Sequence, residues 1–240
     1  MEQQKKGILY AIPSPLSPDG FNETATAQVI EIVAKLDYYL AENIRTARRY
    51  ISRFRSGKKI EDISFVQLGK DTRHSALSGL MAPLLRGSDM GLLSEAGCPG
   101  IADPGAMAVA WAHKQGLRVI PLIGPSSPVL ALMASGLNGQ QFAFHGYLPI
   151  DAEARKREIH RFEQELLKTG QTQIFMETPY RNESLYRTLL NHCRNSTTLC
   201  IARNLTGQNE WIRTMQIAEW KKTAVEWAKE PALFLLGIQA

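Results

Sequence analysis

The sequence predicts an α/β protein of two domains, a parallel five-stranded sheet followed by a mixed five-stranded sheet. In the first half, short apolar runs rich in strand formers alternate with stretches whose apolar residues recur at helical spacing, the order that builds a parallel sheet covered on both faces. In the second half only two long helical stretches lie among five strand-like runs, so some strands there pair antiparallel. At 240 residues and 44% hydrophobic content the chain can bury two cores.

Taken in order, Gly7 to Ile12 is a short apolar strand that Pro13, Pro15 and Pro18 cannot continue, because proline withholds a ladder donor. Ala25, Val29, Ile32, Val33 and Leu36 keep helical spacing and predict one helix from Glu23 to Leu36. Tyr38 to Ala41 is a second strand, Ile44 to Phe54 a helix and Ile63 to Leu68 a third strand. Leu77, Leu80, Met81, Leu84 and Leu85 then place a helical stripe. Met90 to Leu93, a helix from Ala106 to Gln115 and the strand Arg118 to Ile123 complete the first domain, residues 1–123. In residues 124–240, Ser126 or Ser127 caps a helix that Pro128 helps to start and Gly136 ends. Strands follow at Phe142 to Tyr147, Gln173 to Met176, Thr198 to Ala202, Glu210 to Ile217 and Ala232 to Ile238, with helices at Ala152 to Lys168 and Ser184 to Cys193 and a hairpin near Gln208.

One stretch stands apart. Between the strand ending at Leu93 and the helix after it runs Ser94-Glu-Ala-Gly-Cys-Pro-Gly-Ile-Ala-Asp-Pro-Gly105. Its glycines and prolines let backbone amides and carbonyls approach a ligand closely, and it is long for a turn. An ordinary tight connection is the plainer alternative. Arg45, Arg48, Arg49, Arg53, Arg55, Lys58 and Lys59 lie within one stretch that holds no acid. Arg45, Arg49 and Arg53 recur at i, i+4 and i+8 on one helix face, which is either a polyanion contact or a solvated surface.

No apolar run is long enough for a membrane span, and the opening Met-Glu-Gln-Gln-Lys-Lys lacks the core of a secretion signal, so a cytoplasmic protein is expected. Cys98, Cys193 and Cys200 are odd in number and without paired spacing, which argues against a disulfide framework and a metal site.

Six segments occur in an order seen in one protein group: the Ser94–Gly105 loop, Val119-Ile-Pro-Leu-Ile-Gly-Pro-Ser-Ser127, Ala134-Ser-Gly-Leu137, Phe144-His-Gly-Tyr-Leu-Pro149, Glu177-Thr-Pro-Tyr-Arg181 and Ala202-Arg-Asn-Leu-Thr206. They resemble the tetrapyrrole methylase superfamily, and within it the ribosomal small-subunit RNA 2′-O-ribose methyltransferase I family. The resemblance implies a tetrapyrrole methylase-like fold, a homodimer, and S-adenosylmethionine bound in a cleft between the domains. By position it assigns the cofactor to Ser94, Gly97, Cys98, Ile101 and Ala102, with Ser126 and Ser127 across from them, Met176 on the adenine side, Pro13 at a rim, and Asn204 with Ala232 at the second domain's edge.

The chain departs from the family pattern in three loops. Ile12-Pro-Ser-Pro-Leu16 replaces a Thr-Pro-Ile-Gly-Asn-Leu run, Ala41-Glu-Asn-Ile-Arg45 replaces an ending in Glu-Asp-Thr-Arg, and Glu95 stands where Asp is usual. It also stops at Ala240, without the small helical C-terminal extension common in the RNA enzymes, so modest RNA affinity or a partner protein that presents the RNA is expected.

Methyl transfer from a sulfonium is an in-line displacement, in which a protein mainly positions the reactants and shapes the field around vanishing charge. A ribose hydroxyl acceptor must also lose a proton. Asp103, Glu177, Glu42 and His145 are candidate bases, and Arg45, Arg181 and Arg203 candidate partners for the oxygen, with no one of them distinguished. Asp103 also reads as a helix cap, Glu177 and Arg181 as an ion pair, and His145 as a satisfied core residue. Arg45, Arg49 and Arg53 are the candidate substrate contacts. Transfer to RNA competes with two other activities, methylation of a tetrapyrrole or other small molecule, and S-adenosylmethionine binding without turnover.

Overall fold

A computed structural model describes residues 6–238. They form two compact units that divide between Ser126 and Ser127, in the loop beyond the fifth strand.

In the first unit the strands are β1 (Ile8–Ile12), β2 (Tyr38–Ala41), β3 (Ser64–Gln67), β4 (Met90–Leu93) and β5 (Arg118–Pro121). All pair in parallel, in the order β3-β2-β4-β1-β5. Between them lie α1 (Phe21–Thr24), α2 (Ala27–Lys35), α3 (Ile44–Ser52), α4 (Leu77–Leu80), α5 (Ala82–Leu85) and α6 (Gly105–Lys114). Successive strand side chains point to opposite faces, so the sheet feeds two cores. On one face Val29, Val33, Ala47, Tyr50 and Ile51 pack against Ile12, Tyr39 and Leu93. On the other, Leu77, Met81, Leu84, Ala108 and Ala112 pack against Leu9, Leu40 and Leu92. The connections after β1 and β2 therefore leave toward one face and those after β3 and β4 toward the other. Because β1 and β4 are neighbours, the sheet reverses its winding between them, and the crevice outside their carboxyl ends is where such sheets bind ligands.

Two predicted helices are broken. The single helix expected over Glu23–Leu36 is interrupted at Ala25, and Thr26 starts α2 by accepting the Val29 amide at 3.3 Å. The stripe from Leu77 is split at Met81, ahead of Pro83. Pro83 lacks the donor that a continuous helix would need at that point.

The second unit begins with α7 (Ser127–Ser135) and holds β6 (Phe142–Tyr147), α8 (Ala152–Thr169), β7 (Thr172–Glu177), α9 (Asn182–His192), β8 (Thr198–Arg203), β9 (Trp211–Gln216), a short α10 (Ile217–Trp220) and β10 (Ala232–Gly237). The strand order is β6-β7-β10-β8-β9. Only β6 and β7 run parallel, and β8 and β9 form the expected hairpin. Phe162, Leu166, Leu185 and Leu189 bury one face of this sheet against Phe175, Ile201 and Phe234. The other face meets α7, where Thr214 donates to the Ser135 carbonyl at 2.8 Å. Gly136 ends α7 in a left-handed conformation, φ +69°, which glycine adopts without penalty.

Candidate active site

The Ser94–Gly105 loop leaves the carboxyl end of β4, and the Pro13–Gly20 loop leaves that of β1. At the winding reversal the two are sewn together. Ser14 and Gly97 exchange backbone hydrogen bonds at 2.9 and 3.0 Å, and the Ser14 hydroxyl donates to the Ser94 carbonyl at 2.8 Å. The Ser94 hydroxyl, itself buried, donates to the Ala96 and Gly97 carbonyls at 3.2 Å. The Ser94 hydroxyl and carbonyl are thus both engaged in holding the two loops together. Tyr50, reaching over from α3, donates to the Pro13 carbonyl at 2.9 Å. Ser14 and Tyr50 were not among the residues the sequence singled out, although the Pro13-Ser-Pro15 setting of Ser14 was a local clue.

The chain stays close to itself here by backbone shape. Gly97 sits at φ +75°, and a Cβ there would stand 3.2 Å from Leu16 and 3.5 Å from the Pro125 carbonyl. Ala102 also has a positive φ, +63°, a conformation a side-chain-bearing residue seldom holds unless its surroundings impose it. The Cys98 thiol donates to the Pro125 carbonyl at 3.3 Å and approaches that of Gly124 at 3.7 Å, tying the loop to the segment after β5. Ile101 is 46% exposed at the tip, and Ser126 is half-buried.

Asp103 accepts the Gly100 amide through both oxygens, at 2.9 and 3.0 Å, and the Gly105 amide at 2.6 Å. It is a clasp that closes the loop onto α6. Burial lifts its carboxyl above the usual range, against the pull of these amides. The Cys98 thiol is raised too, chiefly by burial and then by the Asp103 charge. Fewer thiolates form at neutral pH, so Cys98 is expected to react with a disulfide reagent more slowly than free cysteine. Asp103→Asn removes one of the two causes and is expected to speed that reaction, measured as thiol release in the folded protein.

Loops after β2 and β4 meet beside the same crevice. The Glu95 amide donates to Glu42 at 3.1 Å, and the Asn43 side chain donates to Glu95 at 3.0 Å while its oxygen caps α3 through the Arg45 and Thr46 amides. Glu95 and Asn43, which stand among the departures from the family pattern, are thus in contact with each other, and Glu95 also with Glu42. On α3, the side chains of Arg45 and Arg49 are exposed and have no hydrogen-bond or ion-pair partner among the described residues. Arg53 differs, because it donates to the Pro18 carbonyl at 3.3 Å and lies over the Phe21 ring at 4.2 Å. Arg48 faces Glu61, and Lys58 pairs with Asp37.

The second unit holds the remaining candidates. Register puts Glu177, Ala232 and Arg203 side by side on adjacent strands, on the face covered by α8 and α9. Met176 points to the opposite, α7-bearing face and is partly exposed. Ala232 is only 1% exposed, enclosed between β7 and β8. Asn204 takes a left-handed turn at φ +49°, its amide donating to the Pro231 carbonyl at 3.1 Å. Ser127 opens α7 and is half-buried.

Glu177 is fully buried and accepts Arg181 at 2.5 and 2.9 Å through one oxygen. Its other oxygen and Arg181 Nη1 are buried and have no hydrogen-bond partner among the described residues. Arg203 is held by the Glu226 carbonyl and lies 4.3 Å from the Trp211 ring and 5.6 Å from that of Trp227. His145 pairs with Gln173 at 2.7 Å and stacks on Phe162, and burial lowers its pKa. Of the candidate catalytic groups, Asp103 has both carboxylate oxygens engaged, whereas Glu177, Arg181 and Arg203 each keep one buried polar atom, Oε2, Nη1 and Nε, without a hydrogen-bond partner among the described residues.

No family model matches the chain. A ribosomal RNA small subunit methyltransferase I from Vibrio cholerae is 31% identical over 88% of this chain and 69% of that protein. The enzyme of the same name from Halalkalibacterium halodurans is 31% identical over 97% of this chain and 74% of its own. Among solved structures, the uroporphyrin-III-C-methyltransferase from Thermus thermophilus shares the fold, with a TM-score of 0.57 over 96% of this chain and 92% of that one at 16% identity. Identity at this level across nearly the whole chain, joined to the same two-sheet architecture, places the protein: it belongs to the ribosomal RNA small subunit methyltransferase I family and is an S-adenosylmethionine-dependent methyltransferase.

Proposed function

We propose that the protein transfers a methyl group to a ribose 2′-hydroxyl of ribosomal RNA. The observation that carries this is the backbone-lined crevice at the winding reversal, in a chain whose relatives bear the names given above. Bound S-adenosylmethionine supplies an electrophilic methyl group on a positively charged sulfur. The proposed cofactor turn is Gly97, Cys98, Ile101 and Ala102, backed by Pro13 and Ser94: Gly97 and Ala102 shape it by positive φ, Ser14 and the Ile101 amide hold Gly97 and Cys98 in place, and a side chain at Gly97 would crowd Leu16 and distort it. Ser126, Ser127, Met176, Asn204 and Ala232 complete the proposed cofactor set. The Ser14–Gly97 bridge and the Asp103 clasp keep the loop's shape without ligand, so its carbonyls need little reorganisation to meet positive charge.

Arg181 is the proposed stabiliser of the oxygen that loses its proton. Glu177 holds the guanidinium through Nε and Nη2, and Nη1 is buried without a hydrogen-bond partner among the described residues, so Arg181 would act through a shift of its side chain that brings Nη1 to the oxygen. Arg45 and Arg49 supply phosphate contacts. With no helix in the described residues long and apolar enough to cross a membrane, we place the protein in the cytoplasm, as a homodimer. Light scattering is expected to return about twice the 26.8 kDa of one chain, and a mass near that of one chain at micromolar concentration would refute the dimer.

The activity is tested by incubating the protein with labelled S-adenosylmethionine and small-subunit ribosomal RNA, followed by alkaline hydrolysis. A ribose methylated at the 2′-oxygen resists cleavage, so label in alkali-stable dinucleotides is the expected result. Label in mononucleotides would move the acceptor to a base. Transfer only to a carboxylate-rich tetrapyrrole, for which the fold likeness and the basic helix speak, would replace the proposal.

A further inference from the structure

We propose that a depression in the first unit, between the connection that leads from β3 to α4 and the first turn of α6, is a nucleobase subsite that takes one base splayed from a single-stranded RNA segment. The inference rests on the reading of the protein as an RNA methyltransferase and extends it to residues the sequence did not mark. Lys70, Thr72 and His74 form one wall, while Ala102, Ala106 and Met107 form the floor and the other. The volume, about 720 Å³, lies within the span of small-ligand sites.

The chemistry of the lining selects the occupant. The amides that an anion would seek at this turn, those of Gly100 and Gly105, are already taken by Asp103, whose own half-buried charge repels a phosphate. The floor is small and apolar, suited to a flat neutral ring. Thr72 accepts the Gly69 amide at 2.9 Å, which leaves its hydroxyl proton free to donate, and the exposed His74 ring has no partner among the described residues. Both can meet the polar edge of a base. Lys70, exposed and likewise without a partner among the described residues, stands at the rim where the phosphate next to a seated base would fall. Proteins hold single-stranded bases by stacking on a ring, by hydrogen bonds to the base edge and by a cationic track along the phosphates, and here the His74 ring, the Thr72 hydroxyl and Lys70 are the groups that can fill those parts. Ala102, held at φ +63°, belongs both to this wall and to the loop proposed to hold the methyl donor, so a nucleotide seated here is anchored to the donor's own loop.

The test measures binding of a short fluorescent single-stranded oligoribonucleotide by anisotropy, beside S-adenosylmethionine affinity by calorimetry. Ala106→Phe fills the depression from an exposed helix position, and is expected to weaken RNA binding about tenfold, in line with the loss of one stacked base. Lys70→Ala is expected to weaken RNA binding and flatten its salt slope by about 0.7. An oligomer with the same backbone but no bases is expected to compete poorly. Cofactor affinity is expected to stay unchanged in both variants. Full RNA affinity in both variants, or full competition by the abasic oligomer, overturns the subsite while leaving the RNA reading intact. Loss of S-adenosylmethionine binding with RNA binding retained reassigns the depression to the cofactor. Failure of the unaltered protein to bind the oligomer counts against the RNA reading itself and takes the subsite with it.

Discussion

Gly97→Val is expected to reduce S-adenosylmethionine affinity roughly a hundredfold, about 2.7 kcal/mol, with the circular dichroism of the folded protein unchanged. Gly97 holds φ +75°, a region that costs a side-chain-bearing residue about 1–2 kcal/mol and a β-branched one most of all. The new side chain would begin 3.2 Å from Leu16. The loop can relieve this only by turning its backbone, which breaks the paired hydrogen bonds to Ser14, each contributing about 1 kcal/mol. The carbonyls proposed to face the sulfonium would turn with it. The two cores of the first unit draw on the strands and helices and not on Gly97, so the fold is expected to survive. Calorimetry checks the affinity, and an undiminished value in the variant would contradict the assignment.

The second large effect is expected on the basic helix. Binding of RNA releases the counterions of each phosphate neutralised, with a salt slope of roughly 0.7 per phosphate on a single strand. The sequence alone groups Arg45, Arg49 and Arg53 as equal contacts, which would give a loss of about two units in the triple variant. The structure separates them. Arg53 is drawn back to the Pro18 carbonyl and the Phe21 ring, whereas Arg45 and Arg49 face solvent. The double variant Arg45→Ala, Arg49→Ala is therefore expected to flatten the slope by about 1.4 units. Adding Arg53→Ala is expected to change the slope little and to cost stability instead, about 0.5–1 kcal/mol for a cation–π contact at an exposed site. Titrations at several salt concentrations, with thermal unfolding alongside, distinguish the two contributions. A slope in the double variant equal to that of the unaltered protein would remove α3 from the RNA surface.

Much of the fold was legible because its strands and helices are built from local patterns. Tyr38–Ala41, Met90–Leu93 and Phe142–Tyr147 are strands within the expected bounds, since runs of this kind bury on a sheet wherever the chain places them. The breaks at Ala25 and Met81 were harder to see. Both depend on single residues, the Thr26 cap and Pro83, set inside an otherwise continuous apolar stripe. Strand order was not legible, because alternation announces a parallel sheet without saying that β1 and β4 are neighbours, and it is this adjacency that makes the Gly/Pro loop a site.

At the candidate site the sequence marked the loop by its backbone chemistry but missed the groups that hold it, Ser14 and Tyr50, whose partners are distant in the chain. It also left Asp103 open between cap and base; in the structure its carboxylate accepts the Gly100 and Gly105 amides. Cross-strand register was equally out of reach. It puts Glu177 and Arg203 on one face of the second sheet and Met176 on the other.

Amide hydrogen exchange with and without S-adenosylmethionine tests whether the loops at the winding reversal hold the methyl donor. Protection is expected to rise over Gly97–Ala102 and around Ser14, with little change along α8 or in the strand Trp211–Gln216. Protection that leaves Gly97–Ala102 unaffected and appears elsewhere would place the donor away from these loops.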